Sequence, residues 1–308
     1  MSELVLYRKY RPQSFKEMLG QEQAVSLLEA VAKAGTPAHA YLFTGSRGTG
    51  KTSAARIFAR EIGCAPEDLY EIDGASNRGI DEIRELRDAV KVSPFKSPYK
   101  VYIIDEVHML TTPAFNALLK TLEEPPRHVV FILATTDAEK LPDTVISRCQ
   151  VFHFKKPSHA VLGKMVCVVA KKEGFALEPA AAELVALLGD GSFRDTHGVL
   201  QQVLGASGGE KKINREFVEK IADAPSGTLV NELIAALAER NLANGLRIIG
   251  RLAEANTNFP LFSKLLLEKL RLVLLLRYVP EMEKKRRTNL LRTNLRALLS
   301  SRARKRKK

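Results

Sequence analysis

Residues 40–52 read Ala-Tyr-Leu-Phe-Thr-Gly-Ser-Arg-Gly-Thr-Gly-Lys-Thr. The first five, Ala40–Thr44, have strand character and run straight into Gly45-Ser46-Arg47-Gly48-Thr49-Gly50-Lys51-Thr52, after which Thr52–Ile62 has the length and pattern of a helix. The pattern G-x-x-x-x-G-K-[ST] between a strand and a helix is a phosphate-binding loop. Its glycines let backbone N–H groups close on phosphate oxygens, and the helix N-terminus adds its dipole. Gly45 through Ser53 are therefore candidate nucleotide-binding residues. Lys51 would reach the β- and γ-phosphates, and Thr52 would ligate magnesium. A chance glycine-rich turn would fit the pattern but not its strand–loop–helix setting.

Downstream, Val101-Tyr-Ile-Ile-Asp-Glu-Val-His108 is an apolar strand ending in two carboxylates. Ligands of open α/β sheets bind at the carboxyl ends of the strands. There Asp105 would hold the metal and Glu106 would orient the attacking water. Alone, such a pair is as often a helix cap or a solvated corner; with the phosphate loop upstream the site reading is favoured. Further strands are expected at Leu69–Ile72, Val129–Ala134 and Val151–Phe154, separated by helical stretches such as Ile80–Val90 and Pro113–Leu122. Continuous Val/Ile/Leu strands alternating with helices predict a parallel five-stranded sheet covered on both faces, an α/β fold.

Strand character ends at Lys155-Lys156-Pro157, and everything beyond reads as helix: Ser158–Lys172, Pro179–Leu188, Phe193–Leu204, then the stretch from Thr228 to about Leu299. The expected division is 1–157 for the nucleotide-binding domain, 158–224 for a small helical domain and 225–308 for an all-helical one. The string Asp-Glu-Val-His also occurs in helicases that hold nucleotide between two similar α/β domains, but this chain has room for only one.

The chain of 308 residues is 45% hydrophobic and carries a net charge of +13. From Glu281 to Lys308 there are twelve Lys/Arg and two Glu, leaving 36 basic and 33 acidic side chains in the body. Such a tail suits a solvated end, a phosphate-binding arm or a docking site for an acidic partner. The longest uncharged run, counting His as neutral, is 14 residues, so no membrane span is expected, and the N-terminus has no signal-like core. A cytoplasmic protein is expected. Cys64, Cys149 and Cys167 form neither a disulfide framework nor a zinc spacing and read as ordinary buried thiols.

Several further stretches lie in an order that carries a family resemblance. Arg8-Lys-Tyr-Arg-Pro-Gln-Ser-Phe15 with Gly20-Gln is followed by Leu119-Lys-Thr-Leu-Glu-Glu-Pro-Pro126, Ala134-Thr-Thr-Asp137, Ile146-Ser-Arg-Cys149 and Gly191-Ser-Phe-Arg-Asp195. Together they resemble the clamp-loader ATPases of the AAA+ class, and most closely the bacterial DNA polymerase III gamma/tau family. The resemblance runs from about Leu6 to Leu204. It implies that the chain binds ATP with Mg²⁺, that 158–224 is a lid, and that 225–308 is an oligomerisation collar. It further implies that Arg8, Arg11 and Pro12 line the adenine side and that Thr136 is a polar sensor. Arg194 would be a lid sensor of the γ-phosphate, and Arg148 an arginine finger entering a neighbour's site. The implied partners are a sliding clamp, primer–template DNA and other clamp-loader subunits in a hetero-oligomeric ring holding several copies of this chain; no membrane is involved.

Two departures from the family stand out. Its cysteine-rich zinc insertion has no counterpart, since only Cys64 remains between the loop helix and Leu69, so no zinc is expected. The collar is also shorter, and nothing resembles the long tail by which relatives hold polymerase and helicase. In the family, helices facing the ring interior meet duplex phosphates. Arg78 and Arg84, in and after Asn77-Arg-Gly-Ile-Asp81, are the candidate contacts, although an amphipathic surface helix reads the same way. The rival functions are a non-catalytic scaffold subunit of the same assembly and another AAA+ DNA motor.

Overall fold

The computed structural model of the chain describes residues 4–77, 79–254 and 257–278, so Arg78 and the basic tail lie outside the described residues. The chain divides into two compact units, one of residues 1–161 with 191–195 and the other of residues 162–190 with 196–308.

The first unit opens with α1 (Leu6–Lys9) and α2 (Glu22–Ala34). It then alternates β1 (Ala40–Thr44), α3 (Lys51–Glu61), β2 (Leu69–Asp73), α4 (Ile80–Val90), β3 (Lys100–Asp105), α5 (Thr112–Glu123), β4 (Val129–Thr135), α6 (Asp143–Ile146) and β5 (Gln150–His153). All five strands are parallel, in the order β2-β3-β4-β1-β5. Alternate side chains point to opposite faces, as the period of two requires. Tyr41, Phe43, Ile103 and Ile132 pack with Ile57 and Phe58 of α3. Leu42, Ile104, Phe131 and Leu133 pack with Ile83 of α4 and Leu118 of α5. Both faces are therefore dry, which explains why β1, β4 and most of β3 read as unbroken apolar runs.

The register positions the site. Thr44 of β1 pairs with Thr135 of β4, and Asp73 of β2 with Asp105 of β3, so the carboxyl ends of four strands lie along one edge. The loops leaving that edge carry the sequence motifs. Gly74 approaches β3 so closely that a side chain there would put its first carbon 2.8 Å from the Glu106 carbonyl oxygen.

The second unit holds most of α7 (His159–Lys172), α8 (Pro179–Leu188), most of α9 (Phe193–Gly205), α10 (Arg215–Ile221), α11 (Gly227–Glu239), α12 (Leu242–Glu254) and α13 (Phe259–Tyr278). The expectation of helix alone beyond Pro157 needs correction. Ala176–Leu177 (β6) and Lys212–Ile213 (β7) form a short parallel pair. Two residues are too few to display an alternating pattern, and only the pairing reveals them. Within this unit α8 packs on α10, and α11 on α12 and α13. The cysteine expectation is also corrected: Cys64 is buried, but Cys149 is only partly so and Cys167 is exposed on α7. No helix among the described residues is long and apolar enough to cross a membrane.

Candidate functional site

The loop joining β1 to α3 is shaped by its glycines. Gly45, Gly48 and Gly50 have φ of 147°, 71° and 103°, a region that L side chains avoid. A first side-chain carbon on Gly45 would lie 2.2 Å from the Phe154 carbonyl oxygen, and one on Gly48 would lie 2.0 Å from Ser192 Oγ. Inside the loop Thr49 Oγ1 donates to the Ser46 carbonyl at 2.9 Å. Lys51 is 5% exposed, and its ammonium donates to the carbonyls of Gly45 (2.7 Å) and Ser46 (3.0 Å). Burial lowers its pKa, an effect opposed by the nearby carboxylates of Glu106 and Asp105. Arg47 is exposed, and Ser53 is half-buried at the start of α3.

The strand-edge carboxylates meet this loop. Thr52 Oγ1 donates to Asp105 Oδ2 at 2.7 Å, while Asp105 Oδ1 accepts from the Glu106 N–H. Glu106 has φ 47°, a left-handed backbone uncommon for a non-glycine residue and a sign of a site under constraint. Its Oε2 accepts from Thr136 Oγ1 at 2.9 Å and from the Thr136 N–H at 3.3 Å. The donor set of Thr52 and Asp105 is hard oxygen, the chemistry magnesium selects, and the buried Lys51 ammonium beside a glycine-rich loop at a helix N-terminus is the chemistry that phosphate selects, so the residues fit both groups. Among the described residues no three His, Cys, Asp or Glu side chains are grouped to hold a metal.

Arginines gather around the N-terminal segment. The Arg194 guanidinium stacks over the Tyr7 ring at 4.9 Å, and that of Arg8 over the same ring at 5.9 Å. Burial raises the Tyr7 pKa, but the two guanidinium groups outweigh it and the net shift is downward. Arg194 is carried by residues 191–195, which belong to the first unit; there Phe193 N–H donates to the Gly48 carbonyl at 2.9 Å. Arg11 has a lowered pKa, chiefly from burial and then from Arg56, opposed by Glu71 and Asp105. Pro12 follows it, half-buried.

Arg148 is not brought into this cluster. Just past α6, its guanidinium donates to the Thr144 carbonyl at 2.7 Å and to Glu123 Oε1, at the end of α5, at 2.8 Å. Arg84 lies on the exposed side of α4, paired with Asp81 at 3.0 Å, and Arg78 lies outside the described residues. Three residues in the neighbourhood had been given no role from sequence: Tyr7, which meets Arg194, and His108 and Gln21. His108 Nδ1 lies 2.9 Å from Thr135 Oγ1 and 3.5 Å from Glu106 Oε2. His108 and Gln21 stand inside quoted motifs, but nothing in their type or spacing foretold these contacts.

Fold and site define the class: a domain of the AAA+ fold with a P-loop motif at the carboxyl edge of its parallel sheet. The fold is similar to that of the Thermotoga maritima RuvB Holliday junction branch migration motor, with a TM-score of 0.60 and 21% identity over 84% of this chain and 91% of that one. The family model for the DNA polymerase III delta subunit matches residues 20–79 and 67–158. DNA polymerase III subunit gamma of Buchnera aphidicola is 33% identical over 91% of this chain and 80% of its own length. The tau subunits of Bacillus subtilis and Escherichia coli are 44% and 39% identical, over 82% and 89% of this chain. The chain belongs to the DNA polymerase III gamma/tau family. It spans about half the length of these two tau relatives, 48% and 45%.

Proposed function

We propose that the chain is the ATP-hydrolysing subunit of a clamp loader, working in a hetero-oligomeric ring of several copies in the cytoplasm to place a sliding clamp on primer–template DNA. The observation that carries this is the convergence of Lys51, Thr52, Asp105, Glu106 and Thr136 at one strand edge. The chemistry is cleavage of a phosphoanhydride by water, in which positioning and charge stabilisation supply most of the rate. Lys51 would exchange the Gly45 and Ser46 carbonyls for β- and γ-phosphate oxygens. Glu106 would give up its bonds from Thr136 to accept a hydrogen bond from the attacking water, and Thr136 would then face the γ-phosphate. Thr52 and Asp105 would hold magnesium, which neutralises charge on the phosphates.

Arg8, Arg11 and Pro12 would border the adenine, and Arg194 would leave Tyr7 for the γ-phosphate. Arg148, occupied with Glu123 in its own chain, would act on the neighbour's nucleotide. Residues 1–157, 158–224 and 225–308 would serve as motor, lid and collar, with Arg78 and Arg84 meeting DNA phosphates. A second reading is a scaffold subunit that does not hydrolyse ATP; the complete Lys51–Thr52–Asp105–Glu106 set weighs against it. An ATPase assay with and without clamp and primed DNA tests both. Turnover stimulated by clamp and DNA together is expected, and absence of hydrolysis under every condition would leave the scaffold reading.

A further inference from the structure

Gln21 is a polar side chain only 3% exposed, and both ends of its carboxamide are in use. Nε2 donates to the Thr49 carbonyl at 3.2 Å and to the Lys155 carbonyl at 2.7 Å, while Oε1 accepts from the Lys155 N–H at 3.1 Å. Thr49 belongs to the phosphate loop, and Lys155 lies just past β5. The β5 exit also lines the start of the loop: Phe154 N–H donates to the Thr44 carbonyl at 2.7 Å, and the Phe154 carbonyl fills the space beside Gly45. Met18 completes the wall, its Cε 3.2 Å from where a side chain on Gly50 would begin. One carboxamide thus ties the loop to the chain on either side of it.

The Thr49–Gly50 peptide is trans, so its carbonyl and its N–H point in opposite directions. With the Thr49 carbonyl turned to Gln21, the Gly50 N–H is turned to the opposite side. We propose that Gln21 is a positioning residue of the phosphate site, which aims the Gly50 N–H at a bound nucleotide by holding the Thr49 carbonyl. The proposal rests on the nucleotide-binding reading above. The role needs a carboxamide. A carboxylate can still accept from Lys155 but has no hydrogen for the two carbonyls, and an apolar isostere does neither.

The test uses the full chain with Gln21→Met and Gln21→Glu. ADP binding is measured by calorimetry, and the Gly50 amide is followed in ¹⁵N-glycine-labelled protein. Both variants should melt cooperatively, bind ADP about tenfold or more weakly, and lose the movement of the Gly50 amide resonance on adding ADP. Gln21→Glu should recover affinity, relative to the unsubstituted chain, as falling pH protonates its carboxyl and restores a donor; Gln21→Met should not. A folded Gln21→Met with undiminished ADP affinity overturns the proposal. If Gln21→Met does not fold, the pH profile of Gln21→Glu decides, and a flat relative profile overturns it. Failure of the underlying reading is distinguishable: the unsubstituted chain itself would bind no ADP, and the proposal would fall with it.

Discussion

Glu106 and Thr136 are joined twice, the carboxylate Oε2 accepting from the threonine hydroxyl at 2.9 Å and from its N–H at 3.3 Å. The two residues come from loops after different strands, and the contact holds the candidate water-orienting group at the strand edge. A glutamine at 106 can accept the same two bonds through its amide oxygen, so the substitution changes basicity while keeping placement. Glu106→Gln should bind ATP with near-normal affinity and lose hydrolysis by about 10²- to 10⁴-fold. Steady-state turnover beside nucleotide titration checks this; turnover at the unsubstituted rate would remove Glu106 from its role.

Lys51 is the buried cation of the loop, held by the carbonyls of Gly45 and Ser46. Removing it would take away the charge proposed to face two phosphates, each charged hydrogen bond contributing about 1.5–3 kcal/mol. Lys51→Ala should therefore weaken ATP binding by about 100-fold or more. Calorimetric titration reads the result directly.

Arg148, bonded to Glu123 in its own chain, should act on a neighbouring subunit. Arg148→Ala should bind ATP almost normally and hydrolyse it about 10³- to 10⁵-fold more slowly. Mixed with Lys51→Ala in one assembly, it should regain activity, because an intact loop then meets an intact arginine. A mixture no more active than either variant, with co-assembly verified by mass, would mean that Arg148 does not work in trans.

Asp68 is 1% exposed and accepts from Ser97 Oγ and from the N–H groups of Phe95, Lys96 and Ser97. The Ser97 hydroxyl and then the backbone N–H groups hold its carboxyl well below the usual range, against the upward pull of burial. A depressed carboxylate contributes stability that is present above its unfolded pKa and lost as pH falls through the folded value. Melting temperature should therefore drop between about pH 4 and the lower folded value, and Asp68→Asn should lower stability at neutral pH and flatten that acid limb. Thermal melts across the acid range measure both.

Lys269 on α13 acts in the same sense, but in the alkaline range. Its ammonium donates to Asn231 Oδ1 at 2.6 Å and to the Gly227 carbonyl at 3.2 Å, yet burial, helped by Arg215 and opposed by Glu219, brings its pKa down to about 8 from 10.5. The unfolded chain then binds the proton more tightly, so this residue makes stability rise with pH between about 8 and 10.5. Lys269→Met should remove that rise. Denaturant midpoints at several alkaline pH values provide the check.

Much of the fold is written locally. Ala40–Thr44 was legible to the residue because a strand buried on both faces is an unbroken apolar run ending in glycine, and Ile80–Val90 and Pro179–Leu188 were legible from helical periodicity. The strand–loop–helix setting of Gly45–Thr52 and the strand-end position of Asp105 were equally readable, since their residue types and spacing are set by backbone geometry within a few positions. Tertiary structure alone decided the rest. It paired β6 with β7 across a long separation, turned Glu106 onto Thr136, laid Arg194 on Tyr7 and Arg148 on Glu123, and set Gln21 between Thr49 and Lys155. Each of these contacts joins groups far apart in the chain whose meeting depends on strand order and register. A hydrogen bond or a stacked ring is satisfied by whichever partner the fold delivers, and no local pattern names that partner in advance.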